Sequence, residues 1–345
     1  MRTGFQSFGL LTAWFLLASP AATEALAKEP EIHALRAIPC RATIDQPPAV
    51  VTGVAITPDG LTIAGATDEH RVLIWDAASG ACRACLEGHA DWVRSVGLAP
   101  DGNMFVSGGG DGSICLWDIE RQSRMFQLPV CDGAVAGVCF HPNNQQVAVV
   151  GFSRQLQIVN TSSGHTSQQL DCPCADIRTV SFSPDGKRLA VAGRNGRIRL
   201  WNVGNGAQER DIETGGRQIC ALAFSPDSRL LATAGNGPAI SLLDVASGEI
   251  IATLDSRPAK VRALLFIDNR QLAAGGTDNR IAIWDVDDRH VTRRLVGHTG
   301  TVASLACDAN GTVLVSGSFD TTVRVWSLAE DTTPAVARSA GEAAR

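Results

Sequence analysis

The stretch "SGGGDGSICLWD", residues 107–118, sets Ser107 and Asp111 around a glycine run, with His89 eighteen residues upstream of the serine. Ser, His and Asp together can supply a nucleophile, its general base and an orienting carboxylate. Glycine runs can cradle phosphate when they continue as G-x-x-x-x-G-K-[ST] between a strand and a helix. The chain contains no such sequence. His298, Ser316 and Asp320 repeat the three residue types at the same spacings, 209 residues downstream. A catalytic centre needs one exposed serine beside an oxyanion pocket and gains nothing from a second copy. A structural hydrogen-bond network does gain from repetition. The expectation is scaffold, not active site.

The duplication belongs to a longer series. "VLIWD", "ICLWD", "LQIVN", "IRLWN", "ISLLD", "IAIWD" and "VRVWS" are seven versions of one strand ending, anchored at Trp75, Trp117, Val159, Trp201, Leu243, Trp284 and Trp326. Successive spacings are 42, 42, 42, 42, 41 and 42 residues. A fixed period of this length marks a propeller or an array. Each unit contains apolar runs that end in turn residues, such as "VAITPDG" and "VSFSPDG", then a short second strand, the anchored strand and a more polar fourth. Four short antiparallel strands per unit make one blade.

The Gly88-His89 and Gly297-His298 pairs, with the Trp-Asp pairs at 75–76, 117–118 and 284–285, resemble the WD-repeat β-propeller family over roughly residues 35 to 330. The resemblance implies an all-β, seven-bladed propeller spanning 34–330. It further implies that His89, Ser107, Asp111 and Trp117, and likewise His298, Ser316, Asp320 and Trp326, form hydrogen-bonded networks inside single blades. The other units depart from this pattern. Glu69, Ser153, Asn195 and Gly237 stand at the turn-acid position of the first, third, fourth and fifth units, and Val159 and Leu243 replace the tryptophan in the third and fifth. Closure needs a strand from elsewhere, because the last unit runs out after "VRVWSL" into "AEDTTPAVARSAGEAAR", which is unsuited to a strand. The spare run "ALRAIPCRATI", residues 34–44, is expected to complete the seventh blade and remove the exposed edges. Residues 331–345 are expected to be a disordered tail.

Bulk properties narrow the function classes. The chain has 345 residues, 45% hydrophobic, and a net charge of −5, so nothing global points to nucleic acid. Arg2, the apolar run Phe8 to Ala18 and the small-residue sites "SPA" and "ALA" read as a signal peptide over residues 1–27, removed on export; a retained anchor is the alternative. The mature chain is expected to be secreted or periplasmic, monomeric and not inserted in a membrane. Among the ten cysteines, Cys115, Cys139 and Cys307 fall in apolar strands, where a thiol acts as a small hydrophobe. Cys131 and the "CPC" pair Cys172 and Cys174 are the better disulfide candidates.

The resemblance also implies a binding surface, the top face around the central channel. Its residues come from the loop entering each first strand and from the position before the turn acid. Carried over, that register selects Trp92, Arg94, Phe152, Arg178, Arg194, Lys260, Arg262 and Phe319, with Asp68 and Asp176 as the acids. Aromatics interspersed with arginines have the composition of protein-binding hot spots. The expected partner is a protein or peptide, acidic with apolar anchors, held without cofactor, metal or chemistry. The competing class is a propeller enzyme of lactonase or quinone-dependent dehydrogenase type. That class would need converging histidines and carboxylates or a cofactor clamp in the channel.

Overall fold

The computed structural model describes residues 29–43, 45–172, 176–215 and 217–329; the segments 1–27 and 331–345 lie outside them. The first blade shows how the repeat becomes a sheet. Its strands are Val51–Ile56, Thr62–Thr67, Arg71–Asp76 and Cys82–Glu87, antiparallel in sequence order. "TPDG" makes the first hairpin: Thr57 donates its hydroxyl to Asp59 at 2.6 Å, and Gly60 takes a φ of +73° that a side chain would strain. Ser183 with Asp185 and Ser225 with Asp227 repeat the same bond at 2.6 Å. The outer strand alternates between covered and exposed positions, while the second and third strands are almost wholly buried. One edge of each sheet thus faces solvent and its flat faces do not.

Seven such sheets form the ring, and the core lies between them. Ile74 and Leu86 of the first blade pack against Val93, Phe105 and Trp117 of the second. Phe105 and Trp117 stack with ring centroids 5.9 Å apart. Burying such side chains between neighbouring blades stabilises by about 1.5–3 kcal/mol each, so no blade is stable alone. Among the described residues no helix is long and apolar enough to cross a membrane.

The ring closes through the N-terminal residues. Arg36–Pro39 pairs antiparallel with Thr322–Ser327, setting Ile38 opposite Val323, and completes the seventh blade. The strand-forming region begins earlier than residue 34. Glu31–His33 adds a fifth, parallel strand to the sixth blade along His290–Val296, with Glu29 paired to Arg294 at 2.5 Å. Ile32 accounts for the extension, because it packs with Ile281, Leu295 and Trp326 between the sixth and seventh blades. A single N-terminal stretch therefore clasps both blades at the seam. Cys131 is an unbridged, half-buried thiol, so its expected disulfide does not form in this structure.

Candidate functional site

In the second blade the Ser, His and Asp are drawn together as one chain of hydrogen bonds. The indole N–H of Trp117 donates to Ser107 Oγ at 2.8 Å. Ser107 in turn donates to His89 Nε2 at 2.8 Å, and His89 Nδ1–H donates to Asp111 at 3.2 Å. Asp111 also accepts the N–H of Ala90 at 2.8 Å and the Ser113 hydroxyl at 2.8 Å. The seventh blade repeats the chain with Trp326, Ser316, His298 and Asp320 at 2.8, 2.7 and 2.7 Å.

This direction of donation requires neutral imidazoles. Burial pushes both histidines below their ordinary pKa, and the neighbouring carboxylates only partly oppose it. Burial alone would raise Asp111, but its hydrogen bonds from Ala90 and Ser113 outweigh that and hold it below the usual range. Ser107 and Ser316 are completely buried, so no substrate can reach either hydroxyl. The glycines serve the same end. A Cβ on Gly109 would lie 2.4 Å from His89 Nδ1 and 2.5 Å from Asp111, so the run makes room for the imidazole.

The rim positions are equivalent in all seven blades. In each, the residue before the turn acid donates its N–H to the carbonyl two residues before the channel-facing position: Gly110 to Trp92 at 2.7 Å, Phe152 to Ala134 at 3.1 Å, Arg194 to Asp176 at 3.2 Å, Thr277 to Lys260 at 3.1 Å and Phe319 to Thr301 at 3.0 Å, with Asp68 to Val50 and Asn236 to Gln218 completing the set. Every first strand then carries a bulge at its second residue, where the register against the second strand slips. Bulges re-aim a side chain. Those residues are Thr52, Arg94, Ala136, Arg178, Cys220, Arg262 and Ala303, and all seven line a depression of about 340 Å³ at the channel mouth.

Trp92, Phe152 and Phe319 line the same depression and are 49%, 37% and 55% exposed. Arg94 lies 5.9 Å from the Trp92 ring and 5.5 Å from that of Phe152; Arg178 lies 4.4 Å from Phe152. Such cation–π contacts hold long side chains in place over the aromatic faces. A deeper space of about 210 Å³ continues down the channel past the same three arginines.

Two of the eight sequence-selected binding residues fall outside this depression. Arg194, exposed at the rim, lies 4.0 Å from Asp176, and Lys260 is not part of the lining. Arg178 is also held by Asp176, donating to it at 2.9 Å, so part of the positive charge expected in this sector is neutralised internally. The free cationic character instead rests on Arg94 and Arg262. Arg262 donates to Cys220 Sγ at 3.1 Å. The same sequence register also names Thr52, Ala136, Cys220 and Ala303; what the structure adds is that they share the arginines' bulge position.

Another depression, about 480 Å³, lies on the flank of the sixth blade. It is lined by Arg257, Ala274, Asp278 and Trp284, the positions that correspond to His89, Ser107, Asp111 and Trp117. Arg257 turns outward to pair with Asp255 at 2.5 Å. The space is what an absent imidazole and hydroxyl leave behind. The channel mouth, with its convergent polar and aromatic groups, is the better candidate for binding. Among the described residues no three His, Cys, Asp or Glu side chains are grouped as metal ligands.

Comparison with known proteins agrees with this architecture. The family described as "IFT122 first beta-propeller" matches residues 50–269, and "WD domain, G-beta repeat" matches residues 289–327. Periodic tryptophan protein 2 homolog of Neurospora crassa is 50% identical over 58 residues, which is 16% of this chain and 6% of that protein. NACHT domain- and WD repeat-containing protein 1 of Mus musculus is 37% identical over 62 residues, 18% of this chain and 4% of the relative. Polycomb protein EED of Chaetomium thermophilum is 37% identical over 65 residues, 19% of this chain and 12% of that protein. The matches thus span a small part of each of these relatives. The repeat, the seven sheets and the match over residues 50–269 together place the chain: it belongs to the WD-repeat β-propeller family.

Proposed function

We propose that this propeller is a non-enzymatic interaction scaffold whose top face binds a protein or peptide segment carrying acidic and apolar side chains. The observation that carries the reading is the single depression into which Trp92, Phe152 and Phe319 are gathered with Arg94, Arg178 and Arg262. Large exposed aromatics beside arginines give anchors that can be desolvated by a partner. Uncompensated guanidinium charge on a chain of net charge −5 steers acidic ligands to this face rather than to the rest of the surface. The scaffold acts as a monomer and outside the cytoplasm, after removal of residues 1–27; N-terminal sequencing of exported protein should find Met1 absent.

The test uses the native partner once it is identified. Trp92→Ala and Phe319→Ala should each speed its dissociation, by roughly ten- to thirtyfold for a hot-spot anchor worth about 1.4–2 kcal/mol. Unchanged dissociation in both variants would move the binding site off the top face.

A further inference from the structure

The bulge positions differ around the ring in a regular way. Blades two, four and six carry Arg94, Arg178 and Arg262; the blades between carry Thr52, Ala136, Cys220 and Ala303. Each arginine is two blade steps from the next along this series, and short side chains leave the intervening space open. All three guanidinium-bearing residues line both the mouth and the deeper channel. Arg178 is paired with Asp176, which also lies 4.0 Å from Arg194. Arg94 is instead braced by the rings of Trp92 and Phe152, and its Nε is buried with no hydrogen-bond partner. Among the described residues Arg262 has only the sulfur of Cys220.

From this arrangement we infer that the channel mouth is a socket for one carboxylate side chain of the bound segment, received between Arg94 and Arg262 with Arg178 held in reserve by Asp176. The inference rests on the top-face reading and sharpens it: a single inserted acid, with an adjacent aromatic or aliphatic residue lying on Phe152 and Phe319, rather than a run of negative charge. Guanidinium forks bind carboxylate through paired, directional hydrogen bonds, which lysine cannot reproduce. The braced side chain of Arg94 has already lost much of its rotamer freedom, so less is lost on binding. A run of acids would find few further cations, because the remaining bulge positions are small and Arg194 is already beside Asp176.

The socket can be tested with two probes that differ by one group, N-acetyl-Glu-Phe-amide and N-acetyl-Gln-Phe-amide, titrated into the whole protein while the arginine Nε–H and tryptophan indole signals are followed by NMR. The glutamate probe should produce saturable shifts at Arg94 and Arg262 and bind at least tenfold more tightly than the glutamine probe. Arg94→Lys and Arg262→Lys, which keep the charge, should each remove most of that difference. Equal binding of the two probes, or shifts of equal size with both, would overturn the socket. The native partner, added to the same labelled protein, separates the two levels. If it perturbs the Trp92 indole while the probes do not distinguish Glu from Gln, the socket is wrong and the top-face reading stands. If it leaves the whole rim unperturbed, the top-face reading fails and the socket with it.

Discussion

Blades two and seven and blades four and six have the same fold and the same buried tryptophan, but they satisfy it differently. In two and seven the indole N–H reaches Ser107 or Ser316 at 2.8 Å. In four and six the acceptor position is Val191 or Ala274, and the Nε1 atoms of Trp201 and Trp284 are buried without a partner. The sheets form in either case, because strand pairing and inter-blade packing do not depend on the polar chain. The difference teaches that the hydrogen-bonded network is an increment of stability added to a ring that apolar packing already specifies. It also removes the catalytic reading of the serine, since its hydroxyl is spent on the indole and the imidazole.

The largest effect should come from the seam. Deleting residues 29–40 removes the fourth strand of blade seven and the fifth of blade six, although blade seven keeps its network intact. An exposed edge of this kind templates aggregation. The truncated protein should be aggregated or unfolded by size-exclusion chromatography, whereas deletion of residues 331–345 should leave the elution and melting temperature unchanged. A soluble, cooperatively melting product lacking residues 29–40 would mean that networks, not strands, close the ring.

Smaller effects separate the blades directly. Asp111→Ala strips an acceptor from His89, Ala90 and Ser113 and should cost about 1–3 kcal/mol. Asp278→Ala, at the same position of blade six, loses only a long bond from the Arg280 N–H at 3.4 Å and should stay within about 0.5 kcal/mol. Equal urea midpoints for the two variants would erase the comparison. Conversely, Ala274→Ser offers Trp284 the acceptor that Ser107 gives Trp117, and should add about 0.5–1.5 kcal/mol. A loss of stability there would show that the indole of blade six is oriented differently.

Acidity provides a graded version of the same test. His89 and His298 are held below their ordinary pKa by burial, so the unfolded chain takes up protons at a higher pH than the folded one. Stability from these groups is complete above the unfolded value near 6.5 and is lost as pH falls from there through the folded pKa. Denaturation midpoints should therefore drop between pH 7.5 and 5.5. The double variant His89→Gln, His298→Gln should start lower and drop less.

Much of this was legible in the sequence because a period of 42 residues turns a single register into seven. The same register placed Trp92, Phe152 and Phe319 on one rim, although Phe152 lies 60 residues beyond Trp92 and Phe319 a further 167 along the chain. What the sequence hid were contacts with no periodic signature. "EIH" carries one apolar residue, so its parallel pairing to blade six depends on the cleft that Ile32 finds between blades. Asp176, which pairs with Arg178 and lies 4.0 Å from Arg194, takes a left-handed φ of 74° that no composition rule announces. That pairing shifts the effective positive charge of the face from Arg178 and Arg194 toward Arg94 and Arg262.

The most direct measurement of the functional claim is the association rate of the native partner with the wild-type propeller and with an Arg94→Glu, Arg262→Glu variant, across a range of salt. Charge steering toward the channel mouth predicts that the reversal slows association by roughly tenfold or more at low salt and flattens its salt dependence, with the melting temperature little changed. A control reversal at Arg210, on the outer strand of blade four, should leave the rate as it was. Association of the double reversal at the wild-type rate, with the wild-type salt dependence, would contradict the account and turn attention to the blade flanks.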